Sequence, residues 1–145
     1  MSSDTIVALS TPPGVAALAV IRLSGPESHA IIGKLVTAKV DATPGHAHYR
    51  TLAYEGKTLD DAVLTFWRAP HSYTGEDVAE ISCHGNPHIV EGIVRACLEL
   101  GARAARPGEF TQRAFLNDKL SLTRPKACLT CSTHRPSAPW PARAR

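Results

Sequence analysis

Apolar residues along the chain come in short blocks, and the spacing within a block alternates between strand-like and helix-like periods. The opening DTIVAL is short and rich in β-formers, and the TPPG behind it signals a turn. VAALAVIRLSG, residues 15–25, is a long apolar run with a β-branched finish. It predicts a buried strand with Arg22 emerging near its C-terminal end. PESHAIIGKLV places proline at the first helical position and Ile31, Ile32, Leu35 and Val36 on one face, so a helix is expected. HAHYRTLAYEGKTLDDAVLTFWRAP reads as two strands around a turn at Glu55-Gly56-Lys57. After the loop HSYTGED, VAEISCHG alternates as a strand that contains Glu80. NPHIVEGIVRACLELG repeats apolar residues at helical spacing and meets a stop at Gly101. ARAARPGEF then predicts a short strand and turn, and a last helix is expected over Phe110–Leu122.

The predicted order is β-α-β-β-β-α-β-α, which a mixed sheet with helices packed on it satisfies. The expected fold class is therefore α+β. From Arg124 the pattern stops. RPKACLTCSTHRPSAPWPARAR has four prolines, no acidic residue and neither period. The expected organisation is one domain over 1–123 and a disordered tail over 124–145.

Charge sharpens that division. The chain carries 16 Lys and Arg against 13 Asp and Glu, a net charge of +3. Five of the basic residues lie in 124–145, which leaves 11 against 13 and a net −2 for residues 1–123. The electrostatic case for RNA binding by the folded part is weak. No apolar run approaches the ~20 residues of a membrane span, and MSSDTIVALS lacks the basic start of a secretory signal. With no membrane association expected, the four cysteines are expected to be reduced thiols of a cytoplasmic protein.

Four motifs, DTIVALSTPPG, VIRLSGP, SYTGEDVAEISCHGNP and RPGEFTQRAFLNDKLSLT, stand in this order and spacing. Together they resemble the N-terminal domain of the MnmE (TrmE) family of tRNA modification GTPases, over about residues 4–123. The resemblance implies an aminomethyltransferase-like domain that binds 5-formyl-tetrahydrofolate and forms a homodimer. In that family a helical domain with an inserted GTPase follows. With a flavoprotein partner, the enzyme installs an aminomethyl-type group at C5 of the wobble uridine in certain tRNAs, and the folate is the one-carbon donor.

Matching motif to motif, the resemblance puts folate-binding residues at Arg22 of VIRLSG, Glu80 of DVAEISCHG and Lys119 of FLNDKL. Their chemistry suits the ligand. A pterin presents a 2-amino group and an adjacent ring N–H that a carboxylate can accept in parallel. The glutamate tail carries carboxylates for which Arg22 and Lys119 offer cations. Which cation meets which group stays open.

Two departures stand out. Many family members carry an arginine and glycines after TPPG, where this chain has Val15, Ala16 and Ala17. After LSLT the family continues as an amphipathic helix, whereas the Arg/Pro/Ala-rich text here reads as an out-of-frame remnant. There is no G-x-x-x-x-G-K-[ST] loop, so no GTP, Mg²⁺ or K⁺ site is expected in these 145 residues. The chain alone is expected to bind rather than catalyse, and whether it acts as an enzyme is open. Cys128, Cys131 and His134 supply only three zinc ligands in a proline-rich stretch, and accidental composition is the expected account. Adjacent Cys83 and His84 should point to opposite faces of a strand, which disfavours a thiol–base pair. The alternative functions are a stand-alone folate-dependent one-carbon transferase and an RNA-binding protein acting through its basic tail.

Overall fold

The computed structural model describes residues 4–120. Its elements run β1 (Ile6–Leu9), β2 (Ala16–Ser24), α1 (Ser28–Leu35), β3 (Ala47–Tyr54), β4 (Lys57–Trp67), β5 (Val78–Gly85), α2 (Pro87–Glu99), β6 (Arg103–Ala104) and α3 (Glu109–Leu116). The strands form one sheet in the order β3-β4-β5-β2-β1-β6. The β1–β6 pair is parallel and the other pairs are antiparallel. The chain thus has the α+β mixed sheet that its pattern predicts, with one strand more. Ile6–Leu9 is a separate element because it pairs with β2 on one side and β6 on the other.

The period of two decides which face is covered. Ala19, Ile21 and Leu23 of β2, Ala79, Ile81 and Cys83 of β5, and Ala62, Leu64 and Phe66 of β4 share one face. They join Ile31, Ile32 and Leu35 of α1 and Ile93, Ala96 and Cys97 of α2 in the core. The opposite face carries residues of the other parity, among them Leu18, Arg22, Val63 and Glu80. This corrects the expectation of a fully buried β2. Leu18 is 62% exposed, because α1 and α2 cover only one side of the sheet.

Local chemistry sets the boundaries. The Asn86 side chain accepts the His88 N–H at the start of α2, and Pro87 occupies a position that needs no donor. A Cβ on Gly85 would lie 2.4 Å from the Ala16 carbonyl oxygen, so glycine allows β5 and β2 to close there. The last helix stops at Leu116 rather than running to Leu122. Asp118 turns left-handed at φ 57°, and the Lys119 N–H returns to the Ala114 carbonyl at 2.8 Å. The expected boundary at 123, the tail over 124–145 and its Cys128, Cys131 and His134 lie outside the described residues.

Helix α3 is held to the sheet chiefly by charge. Arg113, 5% exposed, donates to Asp4 Oδ1 at 2.7 Å, to Glu76 Oε2 at 3.1 Å and to Glu109 Oε1 at 3.2 Å. Arg103 joins Glu109 and Asp4 from β6, each at 2.6 Å. Glu76 in turn accepts from Ser24 Oγ at 2.7 Å, and Ser24 meets Thr74 Oγ1 at 2.6 Å. Removing one partner from such a cluster strands a buried charge, which costs far more than an exposed pair is worth.

The cluster has a pH signature. The hydrogen bond from Arg103 is the main cause that holds the Glu109 carboxyl at about 2, below its usual 4.5, with help from the Arg106 N–H and Arg113 and against burial. Because the folded value is the lower one, the stability is whole above about pH 4.5 and is lost as pH falls towards 2. Urea denaturation is expected to show the wild-type chain weakening steeply across that window. Glu109→Gln should be flatter there and less stable at neutral pH by about 1–3 kcal/mol. Identical acid profiles for the two proteins would contradict this account.

Candidate ligand-binding site

Antiparallel register sets Arg22 of β2 directly opposite Glu80 of β5, on the sheet face that α1 and α2 leave open. The Arg22 Nε and Nη2 both lie 2.6 Å from Glu80 Oε1. Oε2 of Glu80 accepts no hydrogen bond among the described residues. The two side chains are half-buried, so water screens the pair only in part. One carboxylate oxygen stays available to a donor from outside the protein.

The connection 68–77 and the start of α3 build walls beside this pair. His29 of α1 fixes the base of the connection. Its Nε2 lies 3.2 Å from the Trp67 carbonyl and 3.1 Å from the Val78 carbonyl, placed for one N–H to serve both ends. At the far side, Asn117 Nδ2 donates to the Thr74 carbonyl at 2.7 Å. Gly75 passes α3 so closely that a Cβ would meet that of Asn117 at 2.9 Å, and its φ of +77° also favours glycine. The result places Tyr73 with its ring centroid 5.1 Å from the Arg22 guanidinium carbon and Phe110 at 5.9 Å. These are cation–π distances that hold the arginine between two rings.

Two clefts open on either side. The first, about 420 Å³, lies between the end of β1 and the segment 105–111, with Arg22, Tyr73, Arg106 and Phe110 in its walls. The second, about 330 Å³, is lined by Trp67, His71, Ser72, Val78 and Glu80, and it shares Arg22 and Tyr73 with the first. Clefts of this scale hold small organic ligands. The second offers aromatic surface beside an acceptor, and the first has a cation at its lip.

Of the three residues matched from the sequence, Arg22 and Glu80 are brought into contact. Lys119 lines neither cleft. It follows the left-handed turn after α3, with its Cγ 3.2 Å from where a Gly75 Cβ would stand. Tyr73, Phe110, Trp67 and Arg106 were not singled out by sequence reasoning. Three of them lie in the motifs SYTGED and RPGEF, which gave the only available signal.

The Cys83–His84 geometry agrees with strand alternation. Burial pushes the Cys83 thiol up to about 11 on the core face. His84 Nδ1 instead meets Asp60 Oδ1 at 2.8 Å. His84 and Gly85 end β5, and Asn86 caps the start of α2. Among the described residues no group of three or more His, Cys, Asp and Glu could hold a metal. None of their helices is long and apolar enough to cross a membrane.

Residues 5–119 match the family model described as GTP-binding protein TrmE N-terminus. The tRNA modification GTPase MnmE of Thermotoga petrophila is 46% identical over 124 residues, covering 86% of this chain and 28% of that protein. The namesake from Helicobacter pylori is 46% identical over 125 residues, covering 86% and 27%. That of Chlamydia abortus is 44% identical over 128 residues, covering 88% and 29%. The chain spans less than a third of the length of these relatives. With residues 5–119 matched by the family model and 44–46% identity to these relatives over most of its length, the chain belongs to the TrmE N-terminal family.

Proposed function

We propose that this chain binds 5-formyl-tetrahydrofolate at the Arg22–Glu80 pair and associates with a second copy of itself, as the folate-binding part of a tRNA wobble-uridine modification system. The observation that carries the reading is Oε2 of Glu80, which accepts no hydrogen bond among the described residues, in the second cleft with Trp67 and Tyr73. A pterin edge offers N–H donors that suit such an oxygen, and charge-assisted hydrogen bonds of this kind are the stronger ones. Arg22 holds Glu80 in place through two contacts of 2.6 Å to Oε1. Lys119 is the third proposed contact, and its side chain stands against Gly75 of the connection 68–77. When bound, the folate supplies a one-carbon unit; the part of this chain is to bind and orient it. In this reading a flavoprotein, a GTPase domain and the tRNA supply the rest of the activity, in the cytoplasm.

Association through the uncovered sheet face is supported by its exposed apolar side chains. Leu18, Tyr49 and Val63 stand there at 62%, 66% and 37% exposure. Sedimentation equilibrium at micromolar concentration should return twice the chain mass of 15.5 kDa. A monomer mass would count against the homodimer.

Isothermal titration tests the ligand. The chain should give saturable heat with 5-formyl-tetrahydrofolate, and Glu80→Ala should weaken binding about tenfold or more. A thermal melt of the same variant separates lost contact from lost fold. Absence of saturation with any reduced folate would overturn the reading.

A further inference from the structure

We infer that Arg106 is the residue that reads the carboxylate tail of the ligand, so that the first cleft takes the anionic end and the second takes the ring. This rests on the folate reading above and assigns the ends of that ligand. The argument begins with the arginines of the segment 103–113. Arg103 and Arg113 are both committed, one to Asp4 and Glu109, the other to Asp4, Glu76 and Glu109. Arg106 is not. Its side chain makes no hydrogen bond or ion pair among the described residues, and it lines the first cleft. The carboxylate nearest in sequence, Glu109, is already consumed by the other two.

The mount of Arg106 is rigid even though its side chain is exposed. Ala105 N–H donates to the Val7 carbonyl at 3.0 Å, Arg106 N–H to Glu109 Oε2 at 2.7 Å, and Glu109 N–H to the Arg106 carbonyl at 3.0 Å. Pro107 follows with a fixed φ. An uncommitted guanidinium on a fixed backbone suits a carboxylate, which it can grip with two parallel bonds. Arg22, by contrast, has its charge compensated by Glu80, and Lys119 stands in neither cleft. The acceptor Glu80 faces the second cleft and the free cation faces the first, which orients a ligand with a donor-rich ring and an anionic tail.

The test compares 5-formyl-tetrahydrofolate with its diamide, in which both glutamate carboxylates are neutral amides, by titration of the full 145-residue chain. Wild type should prefer the carboxylate-bearing ligand about tenfold at low salt. Arg106→Gln should bind both alike, with the affinity of wild type for the diamide and an unchanged melting temperature. Lys119→Gln, whatever its effect on the affinity for both ligands, should keep the preference between them. Retention of the preference by Arg106→Gln, its loss in Lys119→Gln, or equal binding of both ligands by wild type overturns the assignment and leaves folate binding standing. Failure of wild type to bind either ligand overturns both.

Discussion

Arg113 is the side chain on which the site depends. The core between sheet and helices involves α1 and α2, on the face away from the ligand clefts. The chain before β1, the connection 68–77 and the first turn of α3 meet on one buried guanidinium, with Arg103 and Asn117 adding further ties. Buried charge is a costly way to gain stability, since each ion gives up its hydration. What it provides here is geometry. A guanidinium offers its donors in a fixed plane, so three carboxylates and a carbonyl must approach from set directions. Tyr73 and Phe110 are thereby presented to Arg22 from opposite elements.

The same logic operates once more at the surface of the sheet. Arg22 and Glu80 are neighbours across an antiparallel pair, so their contact follows from register alone. Had Arg22 remained uncompensated, it could have served a ligand anion. Paired, it fixes an acceptor instead, and the positive charge offered to a ligand moves to Arg106. The division of labour between the two clefts follows from which arginine found a carboxylate within the fold.

Much of this was legible in the sequence, and the boundary of legibility is physical. Strand alternation in VAEISCHG and helical spacing in NPHIVEGIVRACLELG reported elements directly, and the Asn86-Pro87 start of α2 had its local signal. The adjacency of Cys83 and His84 was correctly read as two faces. The apolar run 15–25 concealed that one face of β2 is open, because a run of small and apolar residues carries no parity. The length of α3 was overread, since apolar spacing continues past Leu116 while the Asp118 turn ends the helix. Motif matching named Arg22, Glu80 and Lys119. It could not show that the first two spend their charges on each other, nor that Asp60 sits against His84, because contacts 58 and 24 residues apart belong to tertiary structure. Arg106 was invisible for the same reason: its significance lies in what Arg103 and Arg113 have already taken.

The central claim is that Glu80 and Arg106 mark opposite ends of one ligand site centred on Arg22. A crystal structure of the chain with 5-formyl-tetrahydrofolate tests it most directly. The account predicts pteridine density between Trp67 and Tyr73, with a ring N–H on Glu80 Oε2 and the glutamate carboxylate against Arg106. Pteridine density in the cleft beside Arg106, or ligand bound away from both clefts, would contradict it.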